Sequence, residues 1–224
     1  MKFTEKCNDK FGFVVTFDGT FVHSEKTKYN DVTIFDNKLF GRVLMLNESI
    51  QLTTYDEAIY HESMTSHYQS NKDANILVIG GGDGGIARDL RKKEFNSITI
   101  VEIDERITIL SKTFFPRIWD NVDKDRKCNF IYTDAIEFVK QETFYDYCII
   151  DLTDPDENSR DLYTKEFFSA IKTNNLSIQL GIPGMQDVDL IIKMLEDCLY
   201  DVKRETICVP SFFGGPWVIA HCKR

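Results

Sequence analysis

At 224 residues, with 42% hydrophobic and 28% charged residues, the chain has the make-up of a globular protein long enough to bury a sizeable core. No apolar run approaches the roughly 18–20 residues that span a bilayer, and MKFTEKCNDKFGF lacks the apolar centre of a signal peptide, so a cytoplasmic protein without a membrane partner is expected. A net charge of −9 disfavours nucleic acid as a partner and favours cationic small molecules over anionic ones.

Residues 1–54 read as a small antiparallel β-sheet domain. The strand candidates are FGFVVTF, DVTIFDNKLFGRVLML and SIQLTT. Val32, Ile34, Leu44 and Leu46 follow the two-residue period of a strand, and Asp36-Asn37-Lys38 supplies hairpin-turn chemistry. Six cysteines are scattered through the chain without a C-x-x-C pair, several within apolar stretches such as YDYCIIDL, which suits reduced core thiols. Histidines 23, 61, 67 and 221 show no ligand spacing, and His61 and His67 are six apart, so they would not share a helix face. No metal is expected.

Residues 55–224 alternate helix and strand signals. DEAIYHESMTSHY reads as a helix, NILVIG as a buried strand, and GGGDGG as a loop entering the helix IARDLRKK. The strand SITIVEI, the helix DERITILSKTF, the strand CNFIYT, the helix DAIEFVKQ and the strand YDYCIIDL follow. The polar loop DPDENSR then leads into the helix YTKEFFSAIK. LSIQLG and ETICVP flank the helix DVDLIIKMLEDCLY, and WVIAHCK closes the chain. Continuous apolar strands between amphipathic helices imply an α/β fold: a Rossmann-like, methyltransferase-type, mostly parallel sheet with helices on both faces.

Ligands of such sheets bind beyond the carboxyl ends of the strands. Four successive strand ends carry acids here: Asp83 after the first, Glu102 and Asp104 at the second, Asp134 at the third, and Asp151 with Asp154 at the fourth. Asp104 and Asp134 could be helix N-caps, and Asp154 before Pro155 a turn former. Together the acids crowd negative charge on one rim, which is costly unless a cation or several hydroxyl donors occupy it. Gly80, Gly82 and Gly85 form the G-x-G-x-x-G spacing, and Glu102 stands about twenty residues on, where a carboxylate accepts from ribose hydroxyls. A pyrophosphate over this loop would meet the carboxylate of Asp83, whereas a phosphate-free sulfonium nucleotide with an ammonium on its tail would be attracted to it. Asp151 and Asp154 could attract an amine and take its proton; an aliphatic ammonium has a pKa of about 10 and is a poor nucleophile until deprotonated. Tyr60 could face a cation, or be an ordinary half-buried tyrosine.

The segments YNDVTIF…KLFGRVLMLNESIQLTTYDEAIYHESM, LVIGGGDGGIARDL, VEIDERI, YTDAIEFV, DYCIIDLTDP, LYTKEFF and CVPSFF resemble the spermidine/spermine synthase family of polyamine aminopropyltransferases, from Lys28 to Lys223. The resemblance implies transfer of the aminopropyl group of decarboxylated S-adenosylmethionine, a co-substrate and not a tightly bound cofactor, to an amine. Methylthioadenosine would be the other product. It places Asp83 on the aminopropyl ammonium, Glu102 on the ribose, Asp134 on the adenine amino group and Gln51 near the methylthio-ribose. Asp151, as base, and Tyr60 would frame the attacking nitrogen, Asp154 would bind the acceptor amine, and 155–162 would form a lid. A homodimer is expected on the same ground.

Departures from the family pattern fall at Asn30 and His61, where glutamines are usual, at Ala135 for a frequent glycine, and at Phe212 for tyrosine on the acceptor side. The first three touch the expected cofactor pocket. The lid reads DENSR. DLT and CVPSF resemble animal spermine synthases, yet Phe213-Gly214-Gly215-Pro216 lacks their glutamate, and the step from Asp56 to Tyr60 fits spermidine synthases. Putrescine is the favoured acceptor. Spermidine as acceptor, a methyltransferase on the same fold, and an inactive binding homologue are the alternatives.

Overall fold

The computed structural model describes residues 1–6, 12–154 and 159–224. Six strands come first: β1 (Lys2–Glu5), β2 (Val15–Asp18), β3 (Thr20–Lys26), β4 (Asp31–Asn37), β5 (Gly41–Leu46) and β6 (Ser49–Thr53). β1 and β2 pair as one antiparallel ribbon, and β3 to β6 form a four-stranded antiparallel meander. The β4–β5 turn forms where the Asp36-Asn37-Lys38 chemistry predicts it: the Asn37 side-chain oxygen accepts from the backbone N–H groups of Leu39 and Phe40. β1 and β3 lack a clear apolar alternation and were not among the expected strands.

The chain then runs through α1 (Glu57–Ser66), β7 (Asn75–Gly80), α2 (Gly85–Leu90), β8 (Ser97–Glu102), α3 (Glu105–Phe114), α4 (Pro116–Trp119), β9 (Cys128–Tyr132) and α5 (Ala135–Val139). After these come β10 (Phe144–Tyr145), β11 (Tyr147–Asp151), α6 (Lys165–Ala170), β12 (Lys172–Thr173), β13 (Asn175–Gly181), α7 (Val188–Asp197), β14 (Asp201–Ile207) and β15 (Trp217–Lys223). Seven strands make the main sheet in the order β14-β15-β13-β11-β7-β8-β9. Those from β13 to β9 are parallel, and β15 and β14 close one edge antiparallel. The expected mostly parallel α/β sheet, preceded by an antiparallel β region, is the fold observed.

Burial on both faces explains the continuous apolar strands. Ile76 and Val78 of β7 pack with Tyr60 and Met64 of α1 and Ile86 and Leu90 of α2. Leu77 and Ile79 point the other way, towards Phe138, Phe168, Ile191 and Leu195 of α5, α6 and α7. The meander is also covered twice. Val32, Ile34, Leu44 and Leu46 meet Ile107 and Leu110 of α3, while Phe35, Val43 and Met45 meet Phe17 and Phe3 of the ribbon. The first of these layers anchors the N-terminal sheet to the helix that follows β8, directly beside the carboxyl ends of the main strands.

Candidate active site

Strand order reverses between β7 and β11: the chain builds outward through β8 and β9, then returns to add β11 and β13 on the opposite side. Diverging connections leave a crevice at such a point. Here it is a cavity of about 430 Å³, bounded by the strand ends on one side and the meander on the other. Gly80 and Asp151 are paired in register at its floor, and Gly81 N–H donates to the Asp151 carbonyl over 3.1 Å. Gly80 has φ +80°, and a Cβ there would lie 1.9 Å from that carbonyl oxygen, so only glycine fits.

Asp83, Glu102, Asp134, Asp151 and Asp154 all line this cavity, together with Gly80, Gly82, Ala135, Asn30, Gln51, Tyr60 and Phe212. Asp151 accepts a 2.5 Å hydrogen bond from the Tyr60 hydroxyl. Burial, and then the charge of Asp83, push the Asp151 carboxyl up to about 6. The Tyr60 hydroxyl, buried against two carboxylates, is held well above its ordinary value and stays a donor. Glu102 accepts from Gly82 N–H at 3.2 Å and Asp104 N–H at 2.9 Å, and burial raises it to about 7. Glu102 thus stands at the tip of β8 and lines the cavity.

Asp104 and Asp134 both cap helices, accepting from Arg106 N–H and Ile136 N–H at 3.1 and 2.8 Å. Asp134 does so while lining the cavity. Asp104 does more than cap: its other oxygen accepts from Thr27 Oγ1 at 2.5 Å and Asn30 Nδ2 at 3.0 Å, tying the meander to the β8 end. Asn30 is thereby fixed at the cavity wall, with Asn47 donating to its oxygen at 3.0 Å. Gly85 and His61 are the two expected site residues that do not line the cavity. They sit one layer behind Asp83.

The far end is framed by residues that sequence reasoning did not single out. Gln186 donates to Asp154 Oδ2 at 2.8 Å and accepts from Ile182 N–H at 2.7 Å. Gln179 donates to the Leu152 carbonyl at 2.7 Å and to the Tyr163 hydroxyl at 3.0 Å. Phe212 packs at 4.6 Å from Trp217 and edge-on to Tyr60 at 5.9 Å, making with Phe213 and Ile182 an apolar wall. Glu5 reaches the cavity from β1 and holds Ile50 N–H at 3.2 Å. The acids at strand ends and the glycine loop carry a positional signal in one sequence; Glu5 and Gln186 carry none. Of the expected lid, 155–158 lie outside the described residues, while Ser159, Asp161 and Leu162 border the cavity.

Among the described residues, His67, Glu205 and His221 bring ligand-type atoms within 4.8 Å of one another, a juxtaposition that spacing in the sequence does not reveal. The two imidazoles stack with centroids 3.7 Å apart and planes 4° from parallel. Their in-plane lone pairs therefore lie in parallel layers instead of converging on one point.

Strand order defines the class, a Rossmann-like sheet with a cavity at its switch point. Residues 52–224 match the spermine/spermidine synthase domain and residues 1–54 the spermidine synthase tetramerisation domain. A polyamine aminopropyltransferase of Buchnera aphidicola subsp. Schizaphis graminum is 35% identical over 205 residues, covering 87% of this chain and 72% of the relative. One from Thermoplasma volcanium is 37% identical over 206 residues, covering 87% and 75%. Among solved structures, a spermidine synthase in complex with the transition-state analogue AdoDATO superposes with a TM-score of 0.91 at 20% identity, over all of this chain and 80% of that one. Spermidine synthase from Thermotoga maritima gives 0.87 at 21%, over all of this chain and 79% of that one. The chain belongs to the spermine/spermidine synthase family of polyamine aminopropyltransferases.

Proposed function

We propose that the chain moves the aminopropyl group of decarboxylated S-adenosylmethionine onto putrescine, giving spermidine and methylthioadenosine. The observation that carries this reading is the hydrogen-bonded pair Tyr60–Asp151, set between Asp83 of the glycine loop and Asp154 beyond β11. Two cationic reactants would meet there, each with its own carboxylate.

The donor's ammonium pairs with Asp83, its ribose hydroxyls donate to Glu102, and its adenine lies towards Asp134 and Ala135, with Gln51 and Asn30 on the meander side. The acceptor's distal ammonium is drawn to Asp154, which Gln186 holds in place. Asp151 takes a proton from the near ammonium, and Tyr60 keeps the carboxylate turned towards it. The freed lone pair forms the new N–C bond as the C–S bond breaks, its electrons passing to sulfur and discharging the sulfonium. Positioning and charge supply the catalysis. Putrescine is favoured over longer acceptors because the wall of Phe212, Phe213, Ile182 and Trp217 is apolar and Phe213–Pro216 add no acid to Glu5 and Asp161, the other carboxylates that border the cavity.

The test is incubation with decarboxylated S-adenosylmethionine and a panel of putrescine, cadaverine and spermidine, with products weighed by mass spectrometry. Spermidine and methylthioadenosine from the putrescine arm are expected. Product from the spermidine arm alone would overturn the acceptor, and methyl transfer from S-adenosylmethionine would overturn the reaction.

A further inference from the structure

The surroundings of His61 are those of a cation. The side chain is 1% exposed. On one side its Nδ1 lies 2.6 Å from Glu57 Oε2, and on the other its Nε2 lies 3.4 Å from Asp83 Oδ2. Glu57 is itself gripped by both Arg88 guanidinium nitrogens, at 2.8 and 2.9 Å. A line of alternating sign results: Arg88, Glu57, His61, Asp83. The Nδ1–Glu57 contact is a hydrogen bond and the Nε2–Asp83 contact an ion-pair distance; a neutral ring donating to Glu57 would turn its Nε2 lone pair towards the Asp83 carboxylate, and a proton on each nitrogen turns that repulsion into attraction. The fold also makes room for the ring. A Cβ on Gly85 would lie 2.1 Å from His61 Cε1, so the first residue of α2 must be bare for an imidazole to fit.

The groups facing His61 come from every element around it: Glu57 and Tyr60 from α1, Asp83 from the glycine loop, Arg88 with its partner Asp89 from α2, and Asp151 from the end of β11. Negative neighbours outweigh positive ones at short range. Burial opposes the charged ring, yet the carboxylates prevail and hold its proton up to about 10. Asp83 is correspondingly pulled below the ordinary carboxylate range by His61 against the cost of burial, while Asp151, lacking such a close partner, goes up to about 6.

We infer that His61 is a positioning residue, a buried imidazolium that holds Asp83 as a carboxylate and so leaves Asp151 as the carboxyl that gains and loses the reaction's proton. Two acids in one dry pocket repel each other's charge, and without a counter-ion they would compete for one proton. The counter-ion behind Asp83 breaks that symmetry. A glutamine at 61 could hydrogen-bond Asp83 but would bring no charge to it. This deepens the proposed function and rests on it for the role of Asp151; the charge of His61 itself does not.

The experiment therefore has two arms. In 15N-histidine NMR spectra of the whole protein, one of the four histidines is expected to keep the imidazolium signature at pH 8, to vanish in His61→Gln, and to titrate at least one pH unit lower in Asp83→Asn. A neutral His61 at pH 8, or a midpoint unmoved in Asp83→Asn, overturns the inference even if His61→Gln fails to fold. In the transfer assay, the acid limb of kcat/KM is expected to move to higher pH by about one unit in His61→Gln, because a positive neighbour of Asp151 is gone. A limb that stays put while the imidazolium signal is present overturns the link to Asp151. Absence of any transfer by the unaltered protein, with that signal present, sinks the functional reading and leaves the histidine's charge standing.

Discussion

Asp151 joins the chemistry to a measurable pH. A base must be ionised to accept a proton, so kcat/KM should rise with pH up to a limb near the value of about 6 set by burial and the charge of Asp83, then level off. A profile flat from pH 5 to 8 would contradict that role. Asp151→Asn keeps the shape and removes the proposed base, so kcat should fall by about 10²–10⁴-fold. Calorimetric affinity for methylthioadenosine, which carries neither ammonium nor sulfonium, should be nearly unchanged; intact turnover would refute the assignment. The acids at the strand ends were legible in the sequence because a parallel sheet delivers its strand ends to one rim whatever the details. That Asp104 would bridge to Asn30, 74 residues away, was not, since a cap and a bridge look alike in one dimension.

Elements show the same division. The buried strands of the main sheet announce themselves, but β5 is buried along Val43–Leu46 without alternation because the meander is covered on both faces. The expected helix over DEAIYHESMTSHY forms at α1, though its start is secured from a distance. Asp56 is 2% exposed, and its carboxylate makes no side-chain cap bond to the helix. Instead it accepts from Thr53 Oγ1 at 2.6 Å, Ser211 N–H at 2.7 Å and Ser211 Oγ at 2.9 Å. It thus pins the loop that carries Phe212 and Phe213 to the helix that carries Tyr60. Asp56→Ala would leave three buried donors without their acceptor, and a loss of roughly 3 kcal/mol in denaturant unfolding is expected. A loss below about 0.5 kcal/mol would show that the link is dispensable.

Across the whole molecule, proton balance makes a joint prediction. His61 and Glu102 hold their protons more tightly when folded, up to about 10 and about 7 against ordinary values of 6.5 and 4.5. The native state therefore binds more protons than the unfolded chain, so these two contributions weaken stability as pH rises, Glu102 between about 4.5 and 7 and His61 between about 6.5 and 10. Glu57, held down to about 2, acts oppositely and loses its contribution as pH falls from about 4.5 through 2. Thermal unfolding across pH should show His61→Gln with a flatter decline above pH 7; parallel curves would contradict the linkage. Assembly belongs to this scale as well. Phe21, Leu39 and Tyr55 are exposed on or beside the N-terminal sheet, the part that matches a tetramerisation domain. We expect light scattering to give an oligomer, dimer or tetramer, and a mass of one 26.0 kDa chain would contradict it.

In the proposed reaction, negative side chains at the switch point receive two cations and release one nitrogen for attack. The most direct measurement is a crystal structure with decarboxylated S-adenosylmethionine bound. The propyl ammonium should lie within hydrogen-bond reach of Asp83, the ribose hydroxyls on Glu102, and the electrophilic methylene facing the Tyr60–Asp151 pair. A donor seated outside this cavity, or one with its ammonium turned away from Asp83 and its methylene away from Asp151, would contradict it.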